Sequence, residues 1–345
     1  MKVTVAVVAY NEEAVIGQLF KDILKQDYPH RDTEILFVDS ASTDATETQM
    51  REFQEKYENE FFNILVCHNP KRIQAAGWNV AISAFTTEAL IRIDAHASIP
   101  SNFVRCQVEK LQEGEMVSGG SRPNIAVKDT AWSRVLLEAE SSMFGSSIAS
   151  YRKGNDQVKY VKSLFHAIYR REVFERVGGF DEQLGRTEDN EFHYRVRQAG
   201  FRLCFDPNII SFQHIRPTLR KMCRQKYGNG YWIGLTLGVC PGCLSLFHFV
   251  PFAFLGAVVF TALLALVGYF WPAVLLWGLY WLTAICMSVL AVREDRKCAA
   301  QLLLPILFLA LHISYGAGTC MGLLSMPAFI RKYQTKDALN GGKYE

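Results

Sequence analysis

Two short segments carry groups whose types and spacing could do chemistry together. Asp94-Ala95-His96 puts a carboxylate and an imidazole on the same side of an extended segment, since alternate strand residues point the same way. Both can then reach one divalent cation. Such oxygen and nitrogen donors suit Mn2+ or Mg2+ with a diphosphate completing the shell, where the cation stabilises charge on a departing phosphate. The bland alternative is a strand-end Asp capping the next turn beside an exposed His. The second segment, Thr187-Glu188-Asp189-Asn190-Glu191, opens a helix with Phe192, Val196 and Ala199 as apolar positions. At about 100° per residue Asp189 shares the face of Phe192 and Val196, whereas Glu191 falls on the far side and pairs with Arg195 toward solvent. An inward carboxylate at a helix start is either a buried cap or a general base. Beside a metal-diphosphate motif the base is favoured, because transfer to a hydroxyl requires removal of its proton.

The elements that must position these groups can be read from the apolar pattern. Val3 to Ala9 is a β-branched run without alternation, expected as a strand buried on both faces and ending at Asn11 as a helix N-cap. Ile16, Leu19, Phe20, Ile23 and Leu24 then make a helical stripe. Strands are expected at Glu34 to Val38, Ile64 to Cys67 and Leu90 to Ile93. Helices are expected at Ala45 to Tyr57, with Asp44 and Glu47 as a capping box, and at Ala75 to Phe85. Four strand-helix alternations predict a doubly wound, mostly parallel sheet with its ligand site at the carboxyl ends of the strands. Those ends carry Tyr10-Asn11-Glu12, Asp39, Asp94 and His96. No GxGxxG follows the first strand, which removes the main support for a dinucleotide site. Asp39 can accept a base or ribose hydrogen bond or serve an ordinary turn. Gly178-Gly179 reads as a turn permitting positive φ, and His166 as a satisfied core histidine outside the site.

The 345 residues are 50% hydrophobic and 21% charged, but the charge is unevenly spread. No Asp, Glu, Lys or Arg occurs from Tyr227 to Val292 or from Cys298 to Ile330. A soluble domain is therefore followed by a membrane domain. The net charge of +3 is too small to argue for nucleic acid, and nine cysteines without repeated spacing do not suggest a disulfide framework. The N-terminal run reads as a strand, not a signal peptide. Leu219, Met222, Cys223 and Tyr227 predict an interfacial amphipathic helix with cations on its other positions, suited to anionic headgroups. Three spans are expected, at 242–270, 272–292 and 301–327. Arg293, Arg296 and Lys297, with the cations ahead of the first span, put those connections on the cytoplasmic side. Three spans would send Arg331 and Lys332 outside, unless the last segment turns back at Gly316 and Gly318.

The chain resembles the family 2 inverting glycosyltransferases of GT-A fold. The resemblance runs over roughly residues 1–230, through Val3 to Glu12, Val38-Asp39-Ser-Ala-Ser-Thr-Asp44, Asp94-Ala-His96, Gly178-Gly-Phe-Asp181-Glu and Glu188-Asp189 with Arg195. Arg92-Ile-Asp-Ala-His-Ala and Lys226-Tyr-Gly-Asn-Gly make it most similar to membrane-anchored exopolysaccharide enzymes of the succinoglycan type. It departs from the family in having Asp39-Ser40-Ala41-Ser42 for Asp-Asp-Gly-Ser, DxH for DxD, and no QxxRW of processive synthases.

The resemblance implies that Ala9, Tyr10, Asn11, Glu12 and Asp39 hold a uridine, that Asp94 and His96 hold the metal and ribose side, and that Asp189 is the base. The expected function is metal-dependent hexosyl transfer from a UDP-sugar to a hydroxyl of a lipid-linked saccharide, with polysaccharide assembly machinery as a partner. Transfer to a polyprenyl phosphate and a silent nucleotide-binding scaffold are the alternatives. The expected organisation is a catalytic domain at 1–215, the interfacial helix at 216–232, a transmembrane domain at 233–330 and a tail at 331–345.

Overall fold

The computed structural model describes residues 1–126, 129–145, 157–292 and 297–339. The elements in chain order are β1 (Val3–Ala9), α1 (Ile16–Leu24), β2 (Thr33–Asp39), α2 (Thr46–Tyr57), β3 (Asn63–His68), α3 (Gln74–Ala84), β4 (Ala89–Asp94), β5 (Ala97–Ser98), α4 (Phe103–Gln112), β6 (Val117–Ser121), β7 (Asn124–Ile125) and α5 (Ala131–Ser141). They continue with β8 (Lys159–Val161), β9 (Ile168–Arg170), α6 (Arg171–Val177), α7 (Glu188–Gln198), β10 (Leu203–Ile210), β11 (Phe212–His214), α8 (Leu219–Thr236), α9 (Val250–Leu266), α10 (Trp271–Ala291) and α11 (Leu304–Leu339). Two compact units result, Met1–Pro123 with Ala149–His214, and Asn124–Ile148 with Ile215–Glu345. Residues 124–148 thus group with the C-terminal helices, a division that linear reading of charge did not reveal.

The first unit is built on an eight-stranded sheet of order β3-β2-β1-β4-β9-β6-β10-β8. β1, β2, β3 and β4 are mutually parallel, as the alternation predicts. β9 runs antiparallel between β4 and β6, so the sheet is mixed. β1 is buried on both faces for the reason its composition suggests. Val3, Val5, Val7 and Ala9 pack with Ile16, Leu19, Met50, Phe53 and Val108 on one side. Ala6 on the other side joins Trp78, Phe174, Phe192 and Val196. This is the doubly wound mixed α/β architecture of the GT-A type.

Two local expectations change. α1 starts at Ile16 after Val15, without a side-chain cap. Asn11 instead takes φ +54° and turns its amide to the β2–α2 loop. Asp44 accepts from Thr46 N at 3.0 Å, but Glu47 leaves the expected capping box to pair with Arg51 at 2.6 Å.

Among the described residues, the second unit contains three segments long and apolar enough to cross a membrane, Leu246–Leu266, Trp271–Ala291 and Ala299–Thr335. Pro251 sits in the first turn of α9, where its missing N–H costs nothing. Arg293 and Arg296, and the tail from 340 on, lie outside the described residues. α11 runs without a break through Gly316, Gly318 and Pro327, so of the two alternatives left open for the last segment a turn-back at the glycines is not the one found. Its glycines allow close packing instead: a Cβ on Gly318 would overlap the Tyr227 carbonyl of α8.

Of the expected apolar stripe of α8, Leu219, Met222 and Cys223 pack against the core of this unit, and Tyr227 departs from it. Met222, Lys226, Gly230 and Ile233 are buried, while Tyr227 is exposed. The inward cation is possible because Lys226 Nζ meets Glu140 Oε1 of α5 at 2.7 Å.

Candidate active site

The site begins where three parallel strands end level with one another. Ala9 of β1 is in register with Asp39 of β2, and Val8 with Asp94 of β4. The loops after β1 and β2 are tied together by polar bonds: Ser40 N donates to Ala9 O (2.8 Å), Asn11 N to Ser42 Oγ (3.0 Å) and Thr43 N to Asn11 Oδ1 (2.8 Å). Glu12 N donates to Thr46 Oγ1 at 2.8 Å. The backbone at Ala9, Asn11 and Glu12 therefore holds the floor of the site in shape. The ring of Tyr10 stands 46% exposed above it, with the Arg72 guanidinium 6.0 Å from its centre.

Asp39 is fully buried. Its Oδ2 accepts from Ser42 N at 3.1 Å, while Oδ1 has no partner among the described residues. His68 Nδ1 stands 3.9 Å away. Asp39, Glu47 and His68 bring three ligand-type atoms within 4.8 Å of one another, but Glu47 is already engaged by Arg51. Asp94 is likewise buried, and its Oδ1 also lacks a partner among the described residues. His96 Nδ1 lies 3.0 Å from Glu12 Oε1, so a nitrogen and an oxygen donor face one another at the end of β4. Burial alone would raise the Asp94 carboxyl; the facing His166, with His96 and Arg92, outweighs it and holds Asp94 well below the usual range.

Opposite runs α7, held to the sheet by a buried network in which His193 meets Tyr169 Oη at 2.8 Å and Ser163 Oγ at 3.1 Å. Burial pushes His193 down to about 3, so it is neutral. The helical phase puts Asp189 partly inside, as expected, but Glu191 does not reach solvent. It is 1% exposed and pairs with Arg195 at 2.5 Å; Arg195 also donates to Val177 O and Gly179 O, both at 2.7 Å. That knot binds α7 to the Gly178-Gly179 turn, where Gly178 has φ +80°. The outward projection fails because the turn folds back over this side of the helix.

Sequence reasoning missed three further residues. Arg92, two positions before Asp94 on the same strand face, is 4% exposed, lies 4.7 Å over the Trp78 ring and places Nη2 3.9 Å from Glu188 Oε1. Period-two alternation would have found it. Glu188 is buried; desolvation, reinforced by Asp189 and opposed by Arg92, pushes its carboxyl up to about 7. Asp189 is raised as well, by burial against the pull of Arg92 and Arg122. His166, read as a core histidine, has Nε2 3.5 Å from Asp94 Oδ2. Nothing local signals that contact, which depends on β9 inserting beside β4.

A mixed α/β sheet with buried, underpartnered carboxylates at the ends of the two parallel strands that flank β1 is a ligand-binding edge of the nucleotide-binding class. Residues 4–178 match Glycosyl transferase family 2, and the chain belongs to that family; it is a glycosyltransferase. It is 28% identical over 295 residues to the succinoglycan biosynthesis protein ExoA of Rhizobium meliloti, covering 84% of this chain and 86% of that one. It is 26% identical over 327 residues, 91% and 95% of the two chains, to a dolichyl N-acetyl-alpha-D-glucosaminyl phosphate 3-beta-D-2,3-diacetamido-2,3-dideoxy-beta-D-glucuronosyltransferase of Methanococcus voltae. Among solved structures, the mannosyltransferase PcManGT of Pyrobaculum calidifontis, in complex with GDP-Man and Mn2+, shares the fold with a TM-score of 0.51 and 22% identity, over 99% of this chain and 88% of that one.

Proposed function

We propose that the protein is a membrane-embedded, inverting, hexosyl-transferring enzyme that moves a sugar from a UDP-sugar to a hydroxyl of a lipid-linked saccharide at the cytoplasmic face, in exopolysaccharide or other cell-surface glycan synthesis. The observation that carries this reading is the pair of buried carboxylates on the two strands flanking β1, each with one oxygen left without a partner among the described residues. A buried acceptor without a partner costs about 1–3 kcal/mol, a cost that a bound donor group removes. On Asp39 that donor is the N–H of the base. Asp94 is assigned to the ribose and metal side, with His96 and Glu12, which stand 3.0 Å apart, as the further donors; residues of these types suit Mn2+ or Mg2+. A cation held there would supply positive charge against the diphosphate. Mn2+ in the PcManGT complex supports a divalent cation as the cofactor.

Asp189 is the base. In a single displacement the acceptor oxygen bonds to the anomeric carbon, the bond from that carbon to the diphosphate breaks, UDP leaves and Asp189 takes the hydroxyl proton. Its raised carboxyl favours proton capture. The Methanococcus relative's name describes a 3-beta transfer onto a dolichyl phosphate-linked sugar, which supports a saccharide hydroxyl over a bare polyprenyl phosphate as acceptor. Residues 1–215 are assigned to this chemistry, α8 to the membrane surface and the helices after it to the bilayer.

The test is to incubate the detergent-purified full chain with a nucleotide-sugar panel and membrane lipid extract, reading product mass and anomeric configuration. An inverted sugar on a lipid-linked saccharide is expected. Retention of configuration, or donor hydrolysis without any transfer, contradicts the proposal.

A further inference from the structure

His166 combines features that do not belong to an ordinary core histidine. It is 2% exposed, yet its backbone has φ +46°, a left-handed conformation that non-glycine residues rarely adopt and that persists only where the surroundings enforce it. The surroundings do so here. Gln107 Nε2 donates to His166 O at 2.9 Å, and Arg92 N donates to the following carbonyl, Ala167 O, at 3.0 Å. The ring is held as well: Nδ1 meets the Ser211 hydroxyl at 2.8 Å, and Nε2, which has no hydrogen-bond partner among the described residues, stands 3.5 Å from Asp94 Oδ2.

A neutral imidazole accepting from Ser211 at Nδ1 carries its proton on Nε2, directed at Asp94. The strained backbone and the serine thus aim one N–H at one oxygen of the carboxylate and leave Oδ1 without a partner among the described residues.

We infer that His166 is a positioning residue for Asp94, fixing the rotation of its carboxylate so that Oδ1 meets the cation-bound nucleotide, with Ser211 orienting the imidazole. The inference rests on the donor-site reading above. Partners one layer behind a ligating group commonly change metal affinity 10- to 100-fold when removed.

The experiment measures UDP binding to the full chain in detergent by calorimetry, with and without Mn2+, and Mn2+ binding by its paramagnetic resonance signal. His166→Gly accepts the same φ without strain but lacks the imidazole. It should weaken UDP binding in the presence of Mn2+ by about 10- to 100-fold and leave metal-free UDP binding unchanged. His166→Asn, which tolerates the left-handed region and keeps an amide donor, should recover part of the loss. Ser211→Ala should show a smaller drop in the same direction. A packing role would move both UDP constants together. If wild type binds UDP with a clear Mn2+ effect, then a parallel fall of both constants in His166→Gly, or an unchanged Mn2+ effect in it or in Ser211→Ala, overturns the inference alone. Absence of any Mn2+ effect in the wild type overturns the donor-site reading and the inference together.

Discussion

Arg92 Nη2 lies 3.9 Å from Glu188 Oε1, with 5% of each side chain exposed. Arg92 projects from the same face of β4 as Asp94, and Glu188 adjoins Asp189, so one guanidinium faces both the proposed donor carboxylate and the proposed base. It lies over the rings of Trp78, Phe165 and Phe180, which hold it in place and exclude water.

Removing that cation should therefore change the pH dependence of catalysis. Arg92 lowers the carboxyls of both Glu188 and Asp189, so Arg92→Met should raise them and move the acid limb of kcat/KM to higher pH. Breaking a buried pair also costs about 3–5 kcal/mol, visible in thermal unfolding. A limb that stays in place would show that Arg92 has no electrostatic hold on the base.

Glu188 gives a stability prediction whose sign follows from linkage. Its carboxyl rises from the ordinary 4.5 to about 7 on folding, so the folded chain keeps a proton that the unfolded chain loses. The resulting stability is complete below about pH 4.5 and disappears as pH climbs through about 7. Glu188→Gln should flatten the loss over this window and be the more stable form above it. Parallel unfolding curves for the two proteins from pH 5 to 8 would contradict this.

Asp189→Asn keeps the shape and removes the base. The rate should fall by about 10² to 10⁴ with donor affinity near wild type. Glu191→Gln tests the other side of α7: with Glu191 buried against Arg195, its charge-assisted bonds contribute about 1.5–3 kcal/mol. The expected effect is a lower melting temperature, with activity retained below it. Loss of rate without loss of stability at Glu191 would move the base to that residue.

The strand-end carboxylates should separate by ligand. Asp39→Asn should weaken UDP binding whether or not Mn2+ is present, because it removes the proposed base contact. Asp94→Ala and His96→Ala should instead abolish the Mn2+-dependent increment. Calorimetry distinguishes these patterns, and an intact increment in both of the latter variants excludes Asp94 and His96 as the metal pair.

In the second unit, Lys226→Met takes the ammonium from beside the buried Glu140 carboxylate, and unfolding in detergent should register a loss of about 3–5 kcal/mol. The double variant Lys226→Met/Glu140→Leu should regain most of it, since apolar replacement of a whole buried pair is often neutral. A double variant as unstable as the single one would show that the pair is needed intact.

The sequence by itself determined what depends on near neighbours. Short apolar runs place β1 to β4 and the helical period places the helices between them, because a strand buried on both faces must be apolar throughout and a helix packed on one face repeats its apolar positions. The same spacing turns Asp189 inward and leaves Asp39, Asp94 and His96 at strand ends. Long runs without charge mark the three apolar helices, because charged groups are costly in hydrocarbon. What only the tertiary structure decided are pairings between segments distant in the chain. β9 enters antiparallel beside β4, which brings His166 to Asp94 across 72 positions. The Gly178-Gly179 turn covers Glu191, and α5 meets α8, which lets Lys226 lie buried. No local pattern encodes these, because the energy of a buried charge or a strained φ is set by the partner that the fold delivers, not by the residues beside it in the chain.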